Sequence, residues 1–379
     1  MSGPERAEPA QPGMAMVLSG GVALGAYEAG AYQALEEAGG LRPDWLLGSS
    51  AGAINAAIIA GNPPERRVER LRHFWASIGN DPSPWTSFWF GSPPETGAWR
   101  RAYNEAAAMQ TLLLGRPGLF QPRLMPGRLS GAAPALYDLE PLRRRLPECL
   151  DFDLLNHPDA PRICVVATDV VSGERVVFDT ARGARITPEH LVASCALLPL
   201  FAPLEIEGRL LCDGGLASNA PLDLLLAEPA GGPLLCCVVE LFAQQGSRPR
   251  SLAASAARAG DLAFGNQTRR LLEACAREYR LRALVGRLAA ELPPDRRESP
   301  EIAPLLAEAE PRELTFLLLG YRAGLDEAGP GKVFDFSHVT LAERWQAGAE
   351  AMRKGLRQLE AKDEAAMLAP GLALHELDG

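Results

Sequence analysis

The sequence predicts an α/β fold on a mainly parallel sheet, followed by a mostly helical C-terminal stretch. Two strand–turn–helix units succeed each other between residues 14 and 63, the pattern that helical crossovers between parallel strands produce. Two longer apolar runs, PRICVVATDV (161–170) and PLLCCVVEL (233–241), are β-rich and bounded by turn residues, as strands buried on both faces are. Beyond residue 250 the apolar spacing becomes helical. With 379 residues, 47% hydrophobic and 22% charged, the chain can bury a large core and is not disordered as a whole.

Taken in order, residues 1–13 read as a flexible lead-in without the basic-then-apolar layout of a signal peptide. MAMVL (14–18) is a strand, and Ser19-Gly20-Gly21 turns it into a helix whose spacing shows in Tyr27, Ala31, Ala34, Leu35 and Ala38. Gly39-Gly40 stops that helix where a left-handed cap is expected. Trp45-Leu46-Leu47 is a second strand, residues 48–52 a tight turn, and AINAAIIA a buried helix closed by Gly61-Asn62-Pro63. Residues 65–78 predict another helix. From 80 to 131 the chain is rich in Pro, Gly and aromatics and reads as a cap or insertion over the sheet. The sheet returns with residues 161–170, ERVVFDT (174–180), RLLCDGG (209–215) and residues 233–241, with a helix-like HLVASCALL (190–198) between them.

These segments place a catalytic domain at 14–245 and an extension packed on it at 246–379. The extension opens with a helix around 261–284, followed by a Pro- and Glu-rich linker near 292–312 and a strand pair, TFLLLGY and KVFDF. A last helix has Thr340 as its N-cap and Glu343 three residues on, with Leu341, Trp345, Ala349, Met352, Leu356 and Leu359 on one face. The final dozen residues are expected to be loose.

The formal charge is −9, which argues against general attraction to nucleic acid or to an anionic membrane surface. Only Lys332, Lys354 and Lys362 are lysines, and the bias to Arg, Ala, Gly and Pro reads as GC-rich bacterial coding. Seven cysteines without a C-x-x-C spacing disfavour zinc and a disulfide framework, and fit a cytoplasmic location. No run approaches the length of a membrane-spanning helix.

Chemistry concentrates at three strand ends. Gly48-Ser49-Ser50-Ala51-Gly52 is a G-x-S-x-G between a strand and a helix, where the glycines permit the strained turn that lifts Ser50 clear and the helix N-terminus favours an anion. The pentapeptide alone also fits a tight glycine connection with an incidental serine. Ser19-Gly20-Gly21-Val22-Ala23-Leu24-Gly25 can converge backbone N–H groups on an oxyanion. A nucleotide-phosphate loop or a plain turn are the alternatives, but there is no G-K-[ST], and Val22 breaks G-x-G-x-x-G. Asp213-Gly214-Gly215 sets a carboxylate at a strand end, either as a base toward a serine hydroxyl or as an ordinary turn. Of five histidines, His338 has the chain order Ser…Asp…His and is the alternative base.

Together, Ser-Gly-Gly-x-x-x-Gly, Gly48-Ser49-Ser50-Ala51-Gly52 and Asp213-Gly214-Gly215 resemble the patatin-like phospholipase family, supported by AGAINA, SCALLPLFAPLEI and SNAPL. The resemblance covers roughly residues 14–245, and the remainder looks like a C-terminal extension found in some bacterial members. It implies a three-layer α/β/α fold and a Ser–Asp dyad without histidine, Ser50 as nucleophile and Asp213 as base. The oxyanion hole would come from N–H groups around Gly20, Gly21 and Val22, joined by Ala51, and Gly25, Gly48, Gly52, Gly214 and Gly215 match the motif glycines. No metal or other cofactor is implied. The implied substrate is a lipid or other acyl ester, met in transient contact with a membrane surface, with no nucleic acid involved. Two positions depart from the family's Gly-Gly-Gly-x-Arg-Gly loop, Val22 at the third glycine and Leu24 at the arginine. A β-branched residue resists positive φ, so a loop demanding that conformation must have a different geometry here. Two further readings stand beside hydrolysis of lipids. One is a low-turnover lipid- or acyl-binding regulatory protein, and the other a hydrolase of a non-lipid ester such as a storage polyester. Trp75, Trp85, Phe88, Trp89, Phe90 and Trp99 crowd a short stretch at and just before the cap, and either line an acyl pocket or a lipid interface, or pack the cap on the sheet.

Overall fold

The computed structural model describes residues 13–82, 96–123, 135–228, 232–243, 245–246, 248–249, 251–310, 312–322, 329–361 and 366–378. Trp85, Phe88, Trp89 and Phe90 of the aromatic cluster, and all but the last residue of the lead-in, lie outside these residues.

The first two apolar runs form β1 (Gly13–Leu18) and β2 (Trp45–Ser49), each leading into a helix, α1 (Gly25–Ala38) and α2 (Ala51–Ala60). Helix α2 is wholly buried and apolar but for Asn55, which is what AINAAIIA requires. Helix α3 (Arg67–Ser77) and, in the cap region, α4 (Ala98–Leu114) follow. A small antiparallel pair, β3 (Gln121–Pro122) and β4 (Tyr137–Asp138), precedes α5 (Glu140–Cys149) and α6 (Phe152–Leu155). Strand β5 (Arg162–Asp169) pairs parallel to β2 and antiparallel to β6 (Arg175–Asp179). After α7 (Pro188–Ser194) come β7 (Leu204–Ile206) and β8 (Arg209–Asp213), an antiparallel hairpin whose second strand lies along β5. Two single turns of helix, α8 (Gly215–Ser218) and α9 (Asp223–Leu226), lead to β9 (Leu234–Glu240), parallel to β1.

The C-terminal region is mostly helical: α10 (Leu252–Ala290), α11 (Pro294–Arg297), α12 (Ala303–Ala309) and α13 (His338–Ala361). It also lends three strands to the same sheet, β10 (Leu314–Gly320), β11 (Ala366–Ala369) and β12 (Leu372–Asp378), giving the order β11-β12-β10-β9-β1-β2-β5-β8-β7. Three expectations are corrected here. Helix α13 begins at His338, so Thr340 lies inside it and does not cap it. KVFDF is not the partner of TFLLLGY but lies largely in a 3-10 turn over Gly329–Phe334, and the final residues are not loose but form β12, in parallel register with β10. The physical reason is pairing at a distance: Leu372 and Leu374 bury one face of β12 beside Leu314 and Phe316, and Leu377 buries the other.

Alternation along the strands sorts the core into two layers. Met14, Met16 and Leu18 of β1 point toward α1, α2, α3 and α13, while Ala15 and Val17 point toward α10 through Leu272, Cys275, Ala276 and Tyr279. The result is an α/β/α sandwich. The seven cysteines are buried and unbridged. No helix among the described residues is long and apolar enough to cross a membrane.

Candidate active site

Parallel register places the site. Leu18 is level with Gly48 on one side and Val239 on the other, so the segments leaving β1, β2 and β9 converge at the carboxyl end of these parallel strands. Ser50 is the first residue past β2 and has φ +53° and ψ −122°, a conformation that an L-residue holds only under constraint. Its N–H donates to Ser194 Oγ (2.9 Å), which itself donates to the carbonyl of Val166 (2.6 Å). A Cβ at Gly52 would collide with the carbonyl of Leu18, and one at Gly48 with the backbone of Ala53, so the tight elbow needs both glycines. The positive end of α2 lies at the serine.

Asp213 ends β8 opposite Ala167 and is buried. Gly214 fits against the carbonyl of Val166 where a Cβ could not, which lets the chain turn at once. Asp213 Oδ1 accepts from the Gly215 N–H (2.7 Å), and its carbonyl accepts from Thr168 Oγ1 (2.8 Å). Burial pushes the Asp213 carboxyl up to about 6, against the opposing pull of the Ser50 hydroxyl and the Gly215 N–H. The structure therefore brings Ser50 and Asp213 face to face although 163 residues separate them. The Cys195 thiol also borders Ser50, and burial raises it well above the usual thiol range.

The glycine loop lies beside them. Gly20 is so close that a Cβ there would stand 3.1 Å from Ser50 Cβ. Its N–H donates to Asn219 Oδ1 (3.1 Å), so Gly20, expected as an oxyanion donor, is already engaged. The N–H groups of Gly21 and Val22 have no acceptor among the described residues, and that of Ala51, in the first turn of α2, has none within its helix. Val22 takes φ +53°. The loop thus demands the conformation that a β-branched residue resists, and Val22 adopts it rather than the loop changing shape. Gly25 passes under the Trp75 ring, and Gly215 packs against Asn219 and Asp213.

From Ser50 an apolar cleft runs between Val22, Ile54, Trp75, Leu119, Phe120 and Phe201. Trp75, from the aromatic cluster, lines it and is held by Asn55, whose Oδ1 accepts from Trp75 Nε1 (2.9 Å). Asn55 Nδ2 donates to the Gly25 carbonyl and to Glu28 Oε2 (2.9 Å each), and burial raises the Glu28 carboxyl well above the carboxylate range. None of the five histidines is hydrogen-bonded to Ser50 or Asp213. His338, the alternative base, sits half exposed against Asp81 (3.3 Å). Among the described residues no group of His, Cys, Asp and Glu is arranged to hold a metal ion.

Sequence reasoning missed Asn55, Ser194, Asn219 and Gln267 of α10, whose side-chain oxygen accepts from the Asn219 N–H. Asn55 and Asn219 were visible as polar residues inside AGAINA and SNAPL, whereas Ser194 and Gln267 carry no local signal.

A family model described as patatin-like phospholipase matches residues 16–226, and a second, described as patatin phospholipase, matches 262–367. Among solved structures, VipD from Legionella pneumophila is 14% identical and matches over 92% of this chain and 67% of its own, with a TM-score of 0.38. The type III effector protein ExoU is 17% identical over 93% of this chain and 54% of its own, with a TM-score of 0.34, so this chain spans about half its length. No curated protein matches the sequence. With more than half of its length matched by the family model, the chain belongs to the patatin-like phospholipases, a family of lipid acyl hydrolases.

Proposed function

We propose that the protein hydrolyses fatty acyl esters of lipids through a Ser50–Asp213 dyad. The observation that carries this reading is the elbow serine, faced by a buried carboxylate and opening onto a cleft with an almost wholly apolar lining. The acyl chain occupies the cleft and sets its carbonyl carbon against Ser50 Oγ. Asp213 takes the hydroxyl proton as Oγ bonds to that carbon, and the N–H groups of Gly21, Val22 and Ala51 receive the negative charge on the carbonyl oxygen. Collapse of the tetrahedral species breaks the ester C–O bond, and the Asp213 proton passes to the departing alcohol or lysolipid. A water molecule, deprotonated by Asp213, then cleaves the acyl-enzyme, releases the fatty acid and returns the proton to Ser50.

A chain-length series of chromogenic acyl esters, turned over by wild type and by folded Ser50→Ala without added metal, tests this. Turnover by wild type alone, rising with chain length until the cleft is filled, is the expected result. Binding of acyl ligands without turnover in either protein would favour the acyl-binding alternative.

A further inference from the structure

The C-terminal region reaches the glycine loop directly at one end and through Asn219 at the other. From α13, Arg344 is buried and points its guanidinium at three carbonyls: Nη1 donates to Ala23 (3.3 Å) and to Asp335 (3.0 Å), and Nη2 to Lys332 (2.8 Å). Ala23 directly follows the strained Val22. From α10, Gln267 accepts from the Asn219 N–H (2.8 Å) and donates to the Gly215 carbonyl (3.1 Å). Asn219 in turn holds the Gly20 N–H. The two N–H groups left without an acceptor, Gly21 and Val22, thus lie between two clamps, Arg344 acting directly and Gln267 through Asn219, and both residues come from the segment matched by the second family model. A β-branched residue keeps positive φ only where its neighbours prevent relaxation. Here the fastenings on either side of it are Arg344, at the Ala23 carbonyl, and Asn219, at the Gly20 N–H, the latter braced by Gln267.

We propose that Arg344 and Gln267 are positioning residues of the oxyanion loop, holding the Gly21 and Val22 N–H groups in a conformation that the loop alone would leave. This rests on the hydrolase reading above. Losing the clamp lets Val22 relax toward negative φ and turns its N–H off the developing oxyanion, so the transition state suffers and ground-state binding in the apolar cleft does not.

The test uses the full chain and a soluble chromogenic ester, with Arg344→Lys, which keeps the charge but cannot fork across three carbonyls, and Gln267→Leu. The expected result for each is a fall in kcat of roughly 10- to 100-fold with KM within about twofold. The discriminating measurement is a cycle with Val22→Gly, since glycine accepts φ +53° without constraint. In that background the cost of Arg344→Lys should shrink to a few-fold. Unchanged kcat in both variants, a loss confined to KM, or an equal loss with and without Val22→Gly would overturn the proposal. If Arg344→Lys does not fold, Gln267→Leu and its own cycle with Val22→Gly carry the same decision. Ser50→Ala separates the two levels. If it is inactive while both clamp variants keep full kcat, only the clamp fails; if it is fully active, the Ser50–Asp213 dyad fails and the clamp with it.

Discussion

Asp213 is the residue whose chemistry is most sensitive to its surroundings. Its ordinary carboxyl value is 3.8 and burial pushes it up to about 6, so a base working in its ionised form should lose kcat/KM as pH falls through about 6. A pH–rate profile on a soluble ester checks the position of that limb, and Asp213→Asn should remove about 10³-fold or more of kcat at pH 8. The linkage to stability has the opposite sense. Because the folded-state value lies above the unfolded one, the contribution of the protonated carboxyl is fully present below about pH 4 and lost as pH rises through about 6. Asp213→Asn should therefore melt above wild type at pH 8, with the gap closing toward pH 4. Val22 shows where residue-level reading of the sequence stops. Its departure from glycine was legible and so was the strain that would follow, but that the strain is borne rather than avoided depends on Arg344 and Asn219, which no local pattern connects to it.

At the scale of elements, the contact between α1 and α13 ties the helix after the glycine loop to the C-terminal region. Gly30 and Gly348 meet the partner helix so closely that a Cβ on either would overlap the carbonyl oxygen of Trp345 or Tyr27. Gly348→Ala should force the helices apart and cost about 1–3 kcal/mol, read as a lowered Tm and denaturation midpoint. The strand ends that carry chemistry were legible because each motif is local, a glycine turn between an apolar run and a helical one. What was not legible is the pairing of remote pieces. LALHELD has ordinary strand alternation but stands at a chain end, where looseness is the usual state, and becomes β12 only because β10 offers a free edge. KVFDF has strand-like composition, yet Arg344 takes the carbonyls of Lys332 and Asp335 while the Lys332 ammonium bonds to Asp261 (2.7 Å), and the backbone closes into a turn.

For the molecule as a whole, the region up to β9 and the C-terminal region share one sheet: β10, β11 and β12 continue from β9, and both core layers contain side chains from each region. A chain ending at residue 245 would expose the edge of β9 together with the faces that Phe316, Leu318 and Met352 cover. Expressed alone, it should aggregate and show no cooperative melting transition, whereas a soluble, active product would mean that the first segment folds by itself. The central claim is that Ser50 is the nucleophile, and the most direct measurement is to treat the full chain with a long-chain alkyl fluorophosphonate and locate the adduct by peptide mass. The account predicts phosphonylation at Ser50, abolished in Ser50→Ala and slowed in Asp213→Asn but not in His338→Asn. An adduct on another residue, or ester hydrolysis that persists with Ser50 phosphonylated, would contradict it.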